Sequence, residues 1–324
     1  MRVSVLPLEA DGYEPHELHT AERAWTETNC YVDLWIEVLH ALGLDPVAGA
    51  AFTLSSDFEG DQWTMFKYPT EDLRALFGLE VTELNVWRPV IDHVVEQLGF
   101  GRLLTVDVDA WYLPDTAGVS YRSEHQKTTI MPQMLDLELR SLGYFHNAGY
   151  FELRGDDFDG LLRLGAYQDP PSVLPPYVEV VRLDRISRGG TDLDTVLAIT
   201  QQHLARRPAT NPMPRFRERL EVDVLWLAEQ DMATFHRYAF GTCRQCGSNA
   251  ELAATFVEWL DTRDGGGLGP VAGRFRAISD GAKALQFGLA RAARGRRVDF
   301  KGPLDEMARA WDEAMDTLVE RYGG

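Results

Sequence analysis

Apolar residues in the first part of the chain recur at steps of three and four positions, which places their side chains on one face of a helix. The clearest example follows Asn29, and its apolar positions are Tyr31, Leu34, Trp35, Val38, Leu39 and Leu42. Thr28 or Asn29 can cap the start of this helix, and Gly43 suits its end. The same spacing predicts two more helices, at 70–79 and 89–101.

A different pattern, the alternation of apolar and polar residues, begins after the third helix. Leu104, Val106 and Val108 alternate with Asp107 and Asp109, so this segment is predicted to be a strand. The stretches "HQKTTIMPQ" and "YFHNAGYFEL" predict further strands. The first half of the chain is therefore predicted to be an α+β domain, with helices first and an antiparallel sheet after them.

A proline-rich stretch, "YQDPPSVLPPY", separates two regions of different character. After it, one short strand, "VEVVRL", precedes helical patterns at 191–207, 214–229, 231–246, 249–262, 270–294 and 303–321. Their apolar faces indicate a helical bundle. We therefore divide the chain into an α+β domain at 1–166, a connector at 167–176 and a mainly helical domain at 177–324.

The composition is that of a soluble globular protein, with 45 % hydrophobic and 25 % charged residues among 324. A net charge of −18 argues against a nucleic-acid partner, which would need a basic face. The sequence shows no signal peptide and no run that approaches the ~18 apolar residues of a membrane span. The protein is therefore expected to be cytoplasmic, with no membrane partner.

Two cysteines and two aspartates raise the question of a metal site. Cys243 and Cys246 form a C-x-x-C in a helical stretch, but zinc normally needs four ligands and no second pair follows. Asp107 and Asp109 have no histidine partner in the pattern and are interpreted as structural. No metal site is therefore predicted, and three cysteines do not indicate a disulfide framework.

Cys30 is different because it lies in the first turn of a predicted helix, where free backbone N–H groups and the helix dipole favour a thiolate. A nucleophilic cysteine also needs a base and a group that orients the base. His125 stands where a loop enters a predicted strand, and His146 is its nearest rival. The orienting residue is either Asn147 or Asp136. The alternative is that Cys30 is a small packing residue.

Four segments resemble known proteins: "TNCYVDLWIEVLHALGLDP", "DVDAWYLPDT", "YFHNAGYFEL" and "RQCGSNAEL". The order of cysteine, "VDVDAWYLPDT", histidine and a strand with Asn or Asp resembles the papain-like fold of the bacteriocin-leader peptidases. It is more similar still to the N-terminal domain of the acyltransferase of butirosin biosynthesis. The whole chain resembles a bacterial family of domains of unknown function, whose members are often encoded beside amino acid:carrier protein ligases.

The catalytic residues that this resemblance implies are Cys30 as nucleophile, His125 as base and Asn147 as orienting residue. One position departs from the pattern, because Ala24 stands where papain-like enzymes commonly have a glutamine that donates to the oxyanion. The Cys30 backbone N–H, together with Asn29 or Thr26, would have to replace that donor.

Four other residues are substrate-binding candidates, each with a plainer interpretation. Trp111 and Tyr112 either line an acyl pocket or pack in the core. Lys283 and Gln286 lie about one turn apart on a predicted helix, and they either contact a substrate or lie on a solvated face.

The resemblance implies an acyltransferase. An acyl or aminoacyl group, held as a thioester on the phosphopantetheine arm of a carrier protein, would pass to Cys30 and then to an amine or alcohol of a small-molecule acceptor. No bound cofactor is expected, because the arm belongs to the carrier protein. Two alternatives stay open: a cysteine hydrolase (thioesterase or peptidase) with the same site, and a non-catalytic module that binds a carrier protein.

Carrier proteins are acidic around the serine that bears the arm, so an acidic protein needs a local basic patch to bind one. Segment 291–301 has five basic residues against one aspartate, and segment 205–219 has five arginines against one glutamate. The first segment is the denser, which makes Arg294, Arg296 and Arg297 the docking candidates. Ordinary helix-end charges are the alternative interpretation.

Overall fold

The computed structural model describes residues 1–20, 22–170, 173–296 and 298–323. By their contacts, these residues separate into two compact units, and each unit draws on separate parts of the chain. The first unit comprises the described residues of 1–20, 29–44 and 70–190, and the second those of 21–28, 45–69 and 191–324.

The first unit combines five helices with seven strands. The helices are α1 (Glu17–Thr20), α2 (Cys30–Ala41), α3 (Thr70–Phe77), α4 (Val90–Gly99) and α5 (Asp156–Leu161). The strands are β1 (Arg2–Ser4), β2 (Glu80–Glu83), β3 (Leu103–Asp109), β4 (Lys127–Asp136), β5 (Ser141–His146), β6 (Gly149–Arg154) and β7 (Val178–Arg182). The predicted helices α2, α3 and α4 and the predicted strands are confirmed, whereas β1, β2 and α5 are too short to have given a clear pattern.

The seven strands form one antiparallel sheet in the order β2-β7-β3-β4-β5-β6, with β1 paired to the end of β4. Because side chains alternate along a strand, the sheet has two distinct faces. Val106 and Val108 of β3 join a core cluster that includes Val94 of α4. The alternate residues of β3, Thr105 and Asp107, lie on the opposite face.

The helix α2 lies on that opposite face, where it contacts β4, β5 and β6. Of the two residues predicted to cap it, Asn29 is the cap: its Oδ1 accepts a hydrogen bond from the Val32 N–H at 3.1 Å. Trp35 and Leu39 are fully buried, as the apolar spacing predicts. Gly43 follows the helix with a φ of +73°, which suits glycine.

A buried charged cluster holds the N-terminal segment on α2. The ring of His19 contacts the Glu37 carboxylate through Nδ1, and its Nε2 lies 3.3 Å from Asp33 Oδ1. Tyr13 donates to Glu37 Oε2 at 2.6 Å. Burial opposes charging of the His19 ring, but the two carboxylates outweigh it and raise the pKa of His19 to about 9. The segment is therefore fixed by a protonated histidine between two carboxylates.

This cluster predicts that the protein loses stability as the pH rises through about 9. The pKa of His19 in the folded state, about 9, exceeds the ordinary value of 6.5, so the folded state binds this proton more tightly. The resulting stabilisation, about 3 kcal/mol, is fully present below pH 6.5 and is lost as the pH rises through 9. Urea unfolding across this pH range measures the loss.

His19→Gln should show a much weaker pH dependence over the same range, because it has no proton to release. His236→Gln is the matched control, since His236 is exposed on the second unit, and it should retain the wild-type dependence. An unchanged pH dependence in His19→Gln would contradict this assignment.

The second unit is helical. Its helices are α6 (Leu193–Ala205), α7 (Met213–Leu227), α8 (Met232–Ala239), α9 (Gln245–Arg263), α10 (Gly269–Ala292) and α11 (Lys301–Tyr322). A π-helical turn, Phe240–Arg244, joins α8 to α9. A buried 3₁₀ segment, Val47–Ser55, packs against α6 and α9. The predicted helical region is confirmed.

The division into units differs from the predicted boundaries in two ways. The sequence pattern predicts that β7 belongs to the helical domain, but it pairs with both β2 and β3 and so belongs to the sheet. The segment 167–176 therefore precedes a strand of the first unit, and its residues 171 and 172 lie outside the described residues. The segment 45–69 belongs with the later helices, and its buried 3₁₀ part, Val47–Ser55, contacts α6 and α9. Sequence separation alone cannot reveal such a return of the chain.

Candidate functional site

The first turn of α2 presents the cysteine that the sequence singles out. Cys30 is the first residue of the helix and is half-buried, so its thiol is accessible to a small molecule. The free N–H groups of a first turn point toward the start of the helix and stabilise negative charge there. The local sequence therefore places a cysteine beside the free N–H groups of a first turn.

The residue after Cys30 fixes this turn on the sheet. Tyr31 donates from its hydroxyl to Glu179 Oε2 of β7 at 2.8 Å. The same carboxylate oxygen accepts the Thr105 hydroxyl at 2.9 Å, and Thr105 lies directly opposite Glu179 in the pairing of β3 with β7. The start of α2 is thus attached to the polar face of the sheet by a buried hydrogen-bond network.

A histidine–carboxylate pair occupies the same face, at the end of β3. His125 Nδ1 lies 2.6 Å from Asp109 Oδ2. The other oxygen, Asp109 Oδ1, accepts a hydrogen bond from the backbone N–H of Trp111 at 3.0 Å. The indole of Trp111 stacks on the imidazole, with 4.5 Å between ring centroids and 10° between planes. Asp109 therefore fixes the ring, and with Nδ1 engaged, Nε2 is the nitrogen available to exchange a proton.

The Nε2 atom is accessible and has no partner within the described residues. The His125 side chain is 66 % exposed, so a substrate can reach it. No hydrogen bond joins this ring to the thiol of Cys30 in the described part of the chain. The structure thus places both groups on one face of the sheet without bringing them into contact.

Asn147, the predicted orienting residue, does not contact His125. It lies in the two-residue turn between β5 and β6, with a φ of +44°, and its side chain makes no hydrogen bond to any described residue. Asn is among the few residues that accept this backbone conformation readily, which gives it a role in the turn. The structure places Asp109, interpreted from the sequence as structural, where the orienting residue was expected.

The two alternatives drawn from the sequence, His146 and Asp136, make their contacts elsewhere. His146 Nδ1 lies 2.5 Å from Asp115 Oδ2 and its Nε2 lies 2.8 Å from Thr128 Oγ1, and it is buried on the sheet face opposite α2. Asp136 accepts backbone N–H groups in the turn after β4, roughly 30 Å along the strand from its first residue. Neither residue is therefore available to a site at the start of α2.

The candidate oxyanion donors are placed as follows. Asn29 is buried, and its side-chain oxygen is committed to capping α2. Thr26 is exposed and belongs to the second unit. In that unit, the backbone N–H groups of Ala24 and Trp25 donate to the Glu251 carboxylate at 2.8 and 2.9 Å. Because residue 24 is an alanine, it has no side-chain amide that could donate to an oxyanion.

The four substrate-binding candidates have different surroundings. The Trp111 indole stacks on the His125 ring. Tyr112 packs closely against Gly160: a methyl group added at position 160 would lie 2.2 Å from the Tyr112 ring. This contact supports packing as the role of Tyr112. In the second unit, the Lys283 ammonium lies 4.0 Å from the centroid of the Trp25 ring, and burial followed by the charge of Arg244 lowers the pKa of Lys283.

Gln286, one turn further along α10, has a buried side-chain oxygen with no hydrogen-bond partner among the described residues. The predicted solvated helix face is therefore only part of its environment. It and Lys283 both lie in the second unit.

The two basic segments differ in whether their arginines form ion pairs. In the segment 205–219, Arg215, Arg217 and Arg219 form ion pairs of 2.6 to 2.8 Å with aspartates. Arg294 and Arg296 are exposed and form no ion pair with any residue the structure describes. Arg297 lies outside the described residues. The charges of the 291–301 segment are therefore the more available ones.

The C-x-x-C pair and the first of the two β3 aspartates have the following surroundings. Cys243 lies in the π-helical turn and Cys246 in α9, both buried, and burial raises the pKa of the Cys243 thiol to about 12. Asp107 bonds Thr129 at 2.7 Å and Lys127 at 3.1 Å. Among the described residues, no group of three or more His, Cys, Asp and Glu side chains can hold a metal ion.

Two family models match the chain. A DUF1839 N-terminal domain matches residues 14–183, and a DUF1839 C-terminal domain matches residues 190–320. The chain belongs to the DUF1839 family. No curated protein matches it. Along the chain, the boundary between the two matched ranges lies between β7 and α6. This boundary agrees with the pairing of β7 with the sheet.

Three features of this DUF1839 chain escape sequence reasoning. The pairing of Asp109 with His125, the Tyr31–Glu179 contact and the ion cluster of His19 all join residues far apart in the chain. The only local signal was the alternation of β3, which places Asp109 on a polar face.

No helix in the described ranges combines the length and apolar character needed to cross a bilayer.

Proposed function

We propose that this protein is a cysteine-dependent acyltransferase that accepts an acyl or aminoacyl group from the phosphopantetheine thioester of a carrier protein. The observation that carries the proposal is the shared face of the sheet. It bears the half-buried Cys30 at the start of α2 and a His125 ring fixed by Asp109 with Nε2 exposed. A nucleophile, a base and an orienting carboxylate are the parts that covalent acyl transfer requires.

In the proposed reaction, the Cys30 sulfur attacks the thioester carbonyl carbon, and the bond from that carbon to the pantetheine sulfur breaks. His125 takes the Cys30 proton at Nε2 and returns it to the departing thiol. In the second half, the acceptor amine or alcohol attacks the acyl group on Cys30 while His125 removes its proton, and the Cys30 sulfur leaves. Asp109 keeps Nδ1 protonated in both halves and stabilises the imidazolium.

The proposed chemistry requires that substrate binding bring the Cys30 thiol and the His125 imidazole together. Catalytic hydrogen bonds are often long in a free enzyme and shorten when substrate binds. Oxyanion stabilisation is assigned to the Cys30 backbone N–H, at the first turn of α2, with Asn29 as the second donor.

The donor class rests on the resemblance to the butirosin acyltransferase and to families encoded beside amino acid:carrier protein ligases. A thioester also suits the site chemically, since its carbonyl is activated and a thiol is a good leaving group. The decisive test is intact-mass analysis of the protein after mixing with an aminoacylated carrier protein. An added aminoacyl mass on Cys30 is expected, and its absence with a panel of aminoacyl groups would contradict the proposal.

Docking of the carrier protein predicts a salt-dependent effect of Arg294 and Arg296. Reversal of both to glutamate should lower kcat/KM for the carrier-bound donor and flatten its salt dependence, because exposed complementary charges mainly set the encounter rate. Steady-state kinetics with an aminoacyl carrier protein and with a small thioester, each over a range of salt, measure this. The small thioester should react as before.

Arg309→Glu is the control, because Arg309 is exposed on α11 and also forms no ion pair within the described residues. It should leave both donors unaffected. Equal losses for both donors in the double variant would indicate damage to the site, and an unchanged carrier reaction would place the docking surface elsewhere.

A second function, a non-catalytic module that binds a carrier protein, is favoured by one pair of observations. Cys30 and His125 are not hydrogen-bonded within the described residues, and Ala24 replaces the oxyanion glutamine. Alkylation with iodoacetamide near neutral pH separates the two functions. Fast modification of Cys30 is expected of the enzyme, whereas modification no faster than that of a free cysteine peptide would favour the binding module.

A further inference from the structure

We infer that the second unit contains a binding site for a small, neutral, hydrogen-bonding group at the start of α9. A cavity of about 20 Å³ lies there, lined among others by Ser56, Trp63, Cys246, Asn249 and Trp311. A water molecule needs roughly 10 to 15 Å³ in the same measure, so the cavity holds one such group. The site takes no part in the proposed acyl transfer.

Three residues that line the cavity each carry a buried polar side-chain atom with no partner among the described residues. These atoms are Ser56 Oγ, Trp63 Nε1 and Asn249 Oδ1, and all three side chains are more than nine-tenths buried. A buried polar atom without a hydrogen bond costs free energy and is rare in native proteins. Three of them around one cavity indicate that an occupant satisfies them together.

The chemistry of these atoms defines the occupant. The Trp63 indole N–H can only donate, so the occupant must accept a hydrogen bond. The Asn249 amide donates from Nδ2 to the Thr53 carbonyl oxygen at 3.0 Å, which fixes its oxygen toward the unpartnered side, so the occupant must also donate. No charged side chain lines this cavity. A water molecule or the hydroxyl or amide end of a longer molecule fits these requirements.

The backbone near the cavity is also unusual. The π-helical turn Phe240–Arg244 ends immediately before α9, and Cys246 in the first turn of α9 lines the cavity. Such wide turns are rare and are frequently found at functional sites. The first residues of α9, Gln245 through Asn249, are buried although several are polar. Buried polar side chains are therefore concentrated at this end of α9.

Thermal unfolding of Ser56→Ala tests the inference by the sign of the change. If an occupant bonds the Ser56 hydroxyl, the variant loses that hydrogen bond, and its Tm should fall by about 2 to 4 °C. If the cavity is empty, the variant removes an unsatisfied polar atom, and its Tm should rise. Ser279→Ala is the matched control, because Ser279 is an equally buried serine with an unpartnered hydroxyl that does not line the cavity.

Native mass spectrometry of the full chain separates the two sources of the occupant. An added organic mass that disappears in Ser56→Ala identifies a longer molecule. A fall in Tm without added mass, together with a single oxygen-sized density in a crystal structure, identifies water. A rise or no change in the Tm of Ser56→Ala, as expected for Ser279→Ala, would overturn the inference.

Discussion

Cys30→Ala is expected to abolish acyl transfer, with a loss of at least ~1,000-fold in kcat, while the fold survives. The reason is that Cys30 alone can carry the acyl group, and that its half-buried side chain contributes little to the core. Turnover with an aminoacyl carrier protein and the mass of the trapped adduct measure the effect. Cys30→Ser should also be inactive, because a serine hydroxyl is a far weaker nucleophile without a stronger base.

Cys243→Ala is the control for this experiment. Cys243 is fully buried in the π-helical turn, and its loss should leave turnover and the acyl adduct in place. If Cys30→Ala retained most of the activity, covalent catalysis through Cys30 would be wrong. If Cys243→Ala removed the adduct, the acyl group would be carried elsewhere.

The second large effect is expected at Asp109. Asp109→Asn should lower kcat at least ~100-fold, because an amide can stabilise the wrong tautomer of His125 and cannot balance an imidazolium. The fall should appear in kcat with KM little changed, which a merely structural role would not produce, because Asp109 acts on the base and not on substrate binding.

Asn147 provides the comparison, because the resemblance assigns the orienting role to it. Asn147→Gly removes the side chain but suits the positive φ of the turn, and it should leave kcat nearly unchanged. A strong loss in Asn147→Gly with a mild effect of Asp109→Asn would restore the papain-like assignment and would require a rearrangement of His125 on substrate binding.

Local patterns in the sequence determined much of this protein. The apolar spacing of α2, the capping capacity of Asn29 and the glycine at its end are all read within about fourteen residues, because helix periodicity and capping depend on near neighbours. The same holds for the alternation of β3 and for the helical second half. The position of Cys30 in a first turn was determined in this way as well.

Only the tertiary structure decided which of these residues meet. The register of β3 against β4 and β7 puts Thr105 opposite Glu179 and Asp109 near His125, and no local pattern encodes a register between distant strands. The pairing of β5 with β4 and β6 puts His146 on the other face of the sheet and leaves Asn147 in a turn. The sequence alone therefore determined the candidate nucleophile, while the fold decided its sheet face, the carboxylate that orients His125 and the return of β7, because these depend on contacts between residues far apart in the chain.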